Sequence, residues 1–215
     1  PHPARRPFTG WSLRPSRAVT LLRTILQSAF TLLCKEGYEA LNARSLARKM
    51  GCSTQPIYAA FGRMDALKKS LKELAEEKYI KSTRRELESG KYNAYKSYGV
   101  GFVRFAREEK QLFRYLYMRG RRGEKLIEDV NLPQILEALQ SEYGYDEQRA
   151  RKFHEDMSVY SYGLAMLVNT GFSMFSDEEI SECLQRQFMA LTGVYGIPPK
   201  WKGTERGKRN ENQRE

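Results

Sequence analysis

Apolar side chains recur at helical spacing along most of the chain. From residue 17 onward, intervals of three and four separate Val19, Leu22, Leu26, Ala29 and Leu33. This spacing predicts one apolar face on an α-helix. Gly37 follows the stripe and is expected to end the helix, because glycine adopts positive φ at little cost. No segment alternates in the manner of a β-strand, so we predict an all-α protein.

A short second helix is predicted immediately after the first. Asn42 is a suitable N-cap, since its side chain can accept a hydrogen bond from a free backbone N–H. The helix is expected to end at Met50, with Leu46 and Ala47 directed inward. A tight turn at residues 51–53 follows.

A third helix is predicted from Thr54 to about Phe61, with Ser53 as its cap and Gly62 as its end. Pro56 is compatible with this helix because its missing N–H falls in the first turn, where no intrahelical carbonyl is available. Three short helices with a glycine-containing turn between the second and third predict a helix-turn-helix.

The rest of the chain also reads as helical. A long helix is predicted from Asp65 to about Ser89, with leucines on one face. Further helical segments are expected around 92–109, 110–119 and 124–143, the last one kinked or broken at Pro133. The residues after Trp201 are polar and are expected to be disordered.

Two long helices are predicted at the end of the body. The apolar positions of the first are Phe153, Met157, Tyr160, Leu164, Leu167 and Gly171. Ser176 and Glu179 form a capping box that opens the second helix. Its apolar positions are Ile180, Leu184, Phe188, Leu191 and Tyr195.

Positive charge is concentrated in the first third of the chain. The 215 residues carry a formal net charge of +11. Residues 1–70 contain 12 Lys or Arg against 3 Asp or Glu, whereas residues 71–200 are balanced. A basic segment attracts polyanions because contact with phosphates releases condensed counterions. The charge therefore coincides with the predicted helix-turn-helix and favours binding to double-stranded DNA.

Composition narrows the remaining possibilities. No stretch approaches the roughly 18 apolar residues of a membrane span. Three widely separated cysteines suit a reducing cytosol better than a disulfide framework. There is no metal-ligand spacing, Gly-rich phosphate loop or nucleophile elbow, so we expect no metal, no cofactor and no enzymatic activity. The predicted location is cytoplasmic.

The start of the third helix carries side chains suited to reading DNA. Ser53, Thr54, Gln55 and Tyr58 lie in or next to its first turns. Glutamine can pair with adenine N6 and N7, threonine can touch a thymine methyl, and tyrosine can reach a phosphate. Arg44 and Lys68 are candidate phosphate contacts, with solvent exposure as the alternative.

Residues 22–67 resemble the DNA-binding domain of TetR/AcrR-type transcriptional regulators. The resemblance rests on Ala29, Gly37-Tyr38, Leu46-Ala47, Gly51-x-Ser53, Ile57-Tyr58-x-x-Phe61 and Leu67. It implies that residues 54–61 form the recognition helix and that Tyr58 meets the DNA backbone. Met64 stands where the family often has a phosphate-binding lysine.

The resemblance also implies functions for the body. It implies a homodimer in which the last two helices form a four-helix bundle; the expected interface residues are Met157, Leu164, Leu167, Leu184, Phe188 and Leu191. A small-molecule effector is expected between the helices, because cavities of this kind are mostly apolar with few polar groups. The candidate ligand residues are Phe113, Tyr117, His154 and Tyr160.

These interpretations divide the chain into four parts: a flexible basic tail (1–16), a helix-turn-helix domain (17–64), a helical ligand-binding and dimerisation domain (65–200), and a disordered tail (201–215). The predicted function is a homodimeric transcriptional regulator, a repressor released from a palindromic operator by a small molecule. The alternative is a helical ligand-binding or interaction protein that does not bind DNA.

Overall fold

A computed structural model of the chain describes residues 17–119 and 129–200. Within these ranges the secondary structure is entirely helical, which confirms the predicted class. The chain separates into two compact units at Leu71–Lys72, inside one continuous helix. The tails predicted at 1–16 and 201–215 lie outside the described residues.

The helices of the described ranges follow in chain order. They are α1 (Arg17–Glu36), α2 (Ala43–Met50), α3 (Gln55–Phe61), α4 (Met64–Glu88), α5 (Ala94–Glu108), α6 (Lys110–Phe113), α7 (Leu132–Ala138), α8 (Glu147–Thr170) and α9 (Asp177–Tyr195). A π-helical turn continues α6 at Arg114–Met118, and another continues α7 at Leu139–Tyr143.

The first unit is a three-helix core in which α1 packs against α2 and α3. Its centre contains Ile25, Leu33, Leu46 and Ile57, each at most 1% exposed. Of the apolar positions predicted on α1, Ala29 and Leu33 are buried, but Val19 is 52% exposed. The core begins only at Ile25, so the first two turns of α1 have no apolar side chain that is buried.

α1 also has the length and hydropathy of a membrane span, which the sequence analysis did not anticipate. It is the one such helix among residues 17–119 and 129–200. Length and composition alone support this reading. Four of its side chains pack into the three-helix core, as expected of a core helix.

The turn between α2 and α3 begins as predicted and ends one residue later than predicted. Asn42 accepts a hydrogen bond from the Ser45 N–H at 2.9 Å and caps α2. Gly51 takes the left-handed conformation, and the N–H groups of Gly51 and Cys52 close a Schellman motif on α2.

The start predicted for α3 is wrong by one residue. The cap position belongs to Thr54 rather than to Ser53, and no side chain bonds to the free N–H groups there. Pro56 therefore occupies the second helical position instead of the third. The prediction that Pro56 is compatible with the helix is confirmed, because it lies in the first turn, where no backbone N–H has an intrahelical partner.

The second unit surrounds an aromatic core. From α4 it receives Tyr79, which is fully buried, and α5 packs against both α8 and α9. A Cβ at Gly101 would lie 3.1 Å from the Cα of Thr83, so the absence of a side chain lets α5 approach α4 closely. The Tyr79 ring contacts Phe102 and Phe105 with centroid separations of 6.1 and 5.1 Å.

One prediction for the middle of the chain is narrowed and another is corrected. At Pro133 the structure favours the predicted break over the kink, because α7 begins at Leu132 and the proline lies in its first turn. The segment 110–119 is not one regular helix, because it passes into the π-helical turn after Phe113.

The start predicted for the last helix is confirmed, whereas the caps of α8 were not predicted. Asp146 caps α8, and Gly171 ends it in the left-handed conformation. The capping box of Ser176 and Glu179 is present at the start of α9. Local side-chain chemistry therefore accounts for both helix starts.

Candidate nucleic-acid interface and ligand cavity

One face of α3 is exposed and polar, while the opposite face is buried. Ile57 is 1% exposed and fixes the helix in the core, whereas Tyr58 is 48% exposed. Gln55, Tyr58 and Ala59 lie at spacings of three and four on the exposed side. Two of the predicted DNA-reading side chains therefore share a face that is open to a partner.

Basic side chains accompany this face within the first unit. Arg44 and Arg48 lie one turn apart on α2 and are both exposed, as is Lys49. Such arginines suit contact with phosphate. Ser53 is exposed and Thr54 is half-buried. Arg48 is a further exposed arginine of this unit that was not predicted as a contact.

Lys68 is the least available of the predicted contacts. Its side chain is 31% exposed, and its Nζ lies 5.3 Å from the centroid of the Tyr38 ring. Asp65 Oδ1 lies 3.9 Å from the same nitrogen. A phosphate contact at Lys68 would compete with both partners.

The second unit contains a cavity of about 470 Å³, a volume typical of sites for small organic molecules. Side chains from α4, α5, α7, α8 and α9 line it. Tyrosine dominates the wall, with Tyr79, Tyr95, Tyr98, Tyr143 and Tyr162. Hydroxyl groups on aromatic rings give an apolar surface with a few hydrogen-bonding positions.

His154 lines this cavity as predicted, and its ring is held on both sides. The Ser158 hydroxyl donates to the His154 carbonyl at 2.6 Å, so Ser158 Oγ can accept from Nε2–H at 3.2 Å. Nδ1 then accepts from the Tyr95 hydroxyl at 3.4 Å. Burial lowers the pKa of His154 to about 4. The imidazole is therefore neutral at pH 7.

Asp129 supplies a carboxylate to the same cavity. Its Oδ2 accepts from the Tyr79 hydroxyl at 2.7 Å, and its Oδ1 accepts from the Asn131 N–H at 2.8 Å. Burial raises the pKa of Asp129, and these hydrogen bonds oppose the rise. Burial also raises the pKa of the Tyr79 hydroxyl, with the Asp129 charge as the next cause.

The other three predicted ligand residues do not line the cavity. Phe113 is fully buried, and its ring stacks on Phe102 and Tyr117 behind the wall. Tyr117 likewise contacts the wall residues Tyr79 and Phe102. These two side chains support the cavity from the second layer. Tyr160 is half-buried beside Cys183, away from the lining.

Sequence reasoning missed most of the lining. Eleven of the 13 tyrosines lie in residues 71–200, and this excess over ordinary core composition signals a polar-edged interior. No comparable sequence pattern marked Asp129 as a cavity residue. A single aspartate outside any periodic segment is normally interpreted as solvent-exposed.

Five of the six predicted interface residues lie inside the single chain. Met157, Leu164, Leu184, Phe188 and Leu191 are each at most 8% exposed. The apolar stripe follows the side of the helix that faces its own core, so the stripe selects core residues. Leu167, at 36% exposed, is the exception.

The same two helices carry other apolar side chains on the surface. α8 exposes Val159, Met166 and Leu167, and α9 exposes Met189 and Val194. The three residues of α8 share one face, whereas Met189 and Val194 on α9 are five positions apart and project about 140° from each other around the helix axis. Exposed apolar faces of this kind are typical of surfaces that meet a partner.

A crystal structure described as a TetR-like transcriptional regulator from Rhodococcus sp. RHA1 has a similar fold. The similarity covers 85% of this chain and 100% of that chain, with a TM-score of 0.56 and 14% sequence identity. Neither a protein-family profile nor a curated protein matches the sequence. The chain therefore has a TetR-like fold, as the sequence resemblance predicted: a helix-turn-helix unit followed by a helical body.

Proposed function

We propose that this chain is a cytoplasmic transcriptional regulator that binds palindromic DNA as a homodimer and is controlled by a small molecule. The observation that carries the proposal is the exposed polar face of α3 in a basic helix-turn-helix unit. Gln55 and Tyr58 are open to a partner on that face, while Ile57 anchors the helix from behind. A helix presented in this way suits the major groove, which is about one helix wide.

Arginines next to the helix support the same proposal. Arg44 and Arg48 on α2 would meet phosphates and hold α3 in register, with Gln55 reading base edges. Tyr58 would reach the DNA backbone. Repression is the expected outcome, because a regulator that occupies a promoter needs only affinity for DNA.

A homodimer would present two copies of α3 to successive major grooves, about 34–36 Å apart. The exposed apolar faces of α8 and α9 support such a dimer. Val159 and Val194 are 67% and 74% exposed, and burial of side chains like these stabilises an interface. The interface therefore uses the outward faces of the two helices, with Leu167 as the one originally predicted contributor.

The cavity supports control by an effector. Tyr79 on α4 lines it, and α4 is one continuous helix from Met64 to Glu88 that also contributes Leu67 to the first unit's core. An effector that favours one position of the Tyr79 side chain would shift α4 towards the conformation compatible with that position. It shifts the DNA-binding equilibrium by its difference in affinity for the two states and by no more.

The proposal is tested by DNA binding of the full chain to genomic fragments and then to the selected palindrome. Gln55→Ala should weaken binding by roughly tenfold through the loss of a base contact, and Tyr58→Phe should weaken it through the loss of a backbone contact. Gln134→Ala is the matched control, since Gln134 is an exposed glutamine on α7 in the second unit. Binding that is absent in the wild type, or unaltered in both α3 variants, contradicts the proposal and favours a ligand-binding protein without DNA.

A further inference from the structure

The carboxylate of Asp129 has hydrogen-bond donors but no cationic partner in the part of the chain that the structure describes. Its oxygens accept hydrogen bonds from the Tyr79 hydroxyl and the Asn131 N–H, and the Asn131 side chain also acts on it. A carboxylate offers about four acceptor positions, so not all of them are filled. Within residues 17–119 and 129–200, no lysine or arginine forms an ion pair with it. A charge removed from water without a counter-ion is costly.

The cationic side chains of the cavity wall already have other partners. Lys96 Nζ lies 3.3 Å from Gln185 Oε1 and 5.0 Å from the centroid of the Tyr92 ring. Arg151 reaches Glu147 on its own helix at 4.0 Å. His154 is neutral for the reason given above. None of these groups forms an ion pair with Asp129.

Aromatic rings line the cavity that contains this carboxylate. Tyr79, Tyr98, Phe102 and Tyr162 contribute to its wall. The centroids of the Phe102 and Tyr162 rings lie 5.0 Å apart, with an interplanar angle of 56°. The faces of such rings attract cations.

An acidic groove adjoins the cavity and shares Asp129 with it. This groove also has Glu76, Glu137, Glu147 and Arg151 in its wall. Glu76 pairs with Lys72 at 2.6 Å and Glu147 lies 4.0 Å from Arg151, whereas Glu137 is exposed. A concave surface with an excess of one charge sign raises the local concentration of the opposite ion. The groove would therefore favour the approach of a cation over that of an anion.

We infer that the effector is an organic cation: an aromatic or hydrophobic body with a protonated amine that bonds to Asp129 between the tyrosine rings. This inference rests on the proposed function for the ligand's role as effector. The bound amine would supply the counter-ion that Asp129 lacks and would compete with the Tyr79 hydroxyl for the same carboxylate. Because Tyr79 belongs to α4, occupancy at Asp129 would act on the helix that continues into the first unit.

Three ligands of matched shape test the charge preference by calorimetry with the full chain. They are 4-(biphenyl-4-yl)butylamine, the corresponding alcohol and the corresponding carboxylic acid, which are cationic, neutral and anionic at pH 7. The amine should bind about tenfold more tightly than the alcohol, and the acid should bind most weakly. Equal affinities, a preference for the acid, or no binding of the amine overturns the inference.

Two variants that each remove one negative charge test which carboxylate causes the preference for the amine. Asp129→Asn keeps the shape and should remove the preference for the amine while the alcohol binds as before. Glu137→Gln is the matched control on the adjoining groove and should leave most of the preference. A preference that survives in Asp129→Asn overturns the assignment to this carboxylate, and the wild-type ligand series remains decisive if that variant fails to fold.

The DNA experiment separates this inference from the proposed function. If the amine binds through Asp129 but does not alter DNA affinity, the cation site stands and effector control fails. If the alcohol binds as well as the amine and releases DNA, effector control stands and the cation inference fails.

Discussion

The hydroxyl of Tyr79 donates a hydrogen bond of 2.7 Å to Asp129 Oδ2, across 50 residues of sequence. The tyrosine lies on α4 and the aspartate just before α7, so this bond joins the helix shared by both units to the wall of the cavity. The other hydrogen-bond donor to this carboxylate is the Asn131 N–H, which lies 2.8 Å from Oδ1.

Tyr79→Phe should destabilise the chain by about 1–3 kcal/mol, because the half-buried carboxylate of Asp129 loses a hydrogen bond to its charged form. The free energy of unfolding from urea titration measures this change. Tyr195→Phe is a matched control, since the Tyr195 hydroxyl makes a bond of 2.6 Å to Asp156 in an exposed position. Equal losses of unfolding free energy in the two variants would show that burial does not strengthen the stabilising effect of the Tyr79 hydrogen bond.

The stability of the chain should depend on pH through His154. Its pKa falls from the usual 6.5 to about 4 in the folded state, because burial disfavours the imidazolium. As pH decreases, the unfolded chain takes up the proton first, so stability present above pH 6.5 is lost progressively towards pH 4. The full loss from this group is about 3 kcal/mol.

His154→Gln should remove that component while retaining an amide that can bond to Ser158 and Tyr95. Urea titrations between pH 4 and 8 compare the variant with the wild type. Ser158→Ala serves as the control, because it alters the contact but keeps the titrating ring. Parallel pH profiles of wild type and His154→Gln would refute the assignment.

Arg44→Ala should weaken DNA binding and reduce the salt dependence of affinity. The loss of one phosphate contact lowers the slope of log affinity against log salt by about 1. Arg85→Ala is the matched control, since Arg85 is an exposed arginine near the end of α4 in the second unit. A slope that changes equally in both variants would indicate a general charge effect rather than a contact by Arg44.

Val194→Asp should convert the proposed dimer to a monomer, because a carboxylate at the centre of an apolar interface would be desolvated without a partner. Analytical ultracentrifugation over a range of protein concentrations measures the molecular mass of the species in solution. Val19→Asp is the control, since Val19 is also exposed but lies on α1. A wild-type chain that remains monomeric would instead remove the dimer from the proposal.

Local chemistry made the helices of this chain predictable, and it failed where contacts came from other elements. Asn42, Gly171 and the Ser176–Glu179 box act within a few residues of themselves, so their effects can be read directly. The start of α3 moved by one residue because no side chain caps it there. Its position depends on Ile57 packing in the core, which local patterns do not contain.

The sequence by itself determined the all-helical class, the helix-turn-helix unit and its concentration of positive charge, since periodicity, capping and charge are properties of neighbouring residues. Tertiary structure alone decided whether each apolar stripe meets its own core or a partner, and which residues meet in the cavity. Met157 and Val159 are two positions apart on α8, yet one is buried and the other exposed. Tyr79, Asp129 and His154 line one space because helices distant in sequence pack together, and spacing along the chain carries no information about that encounter.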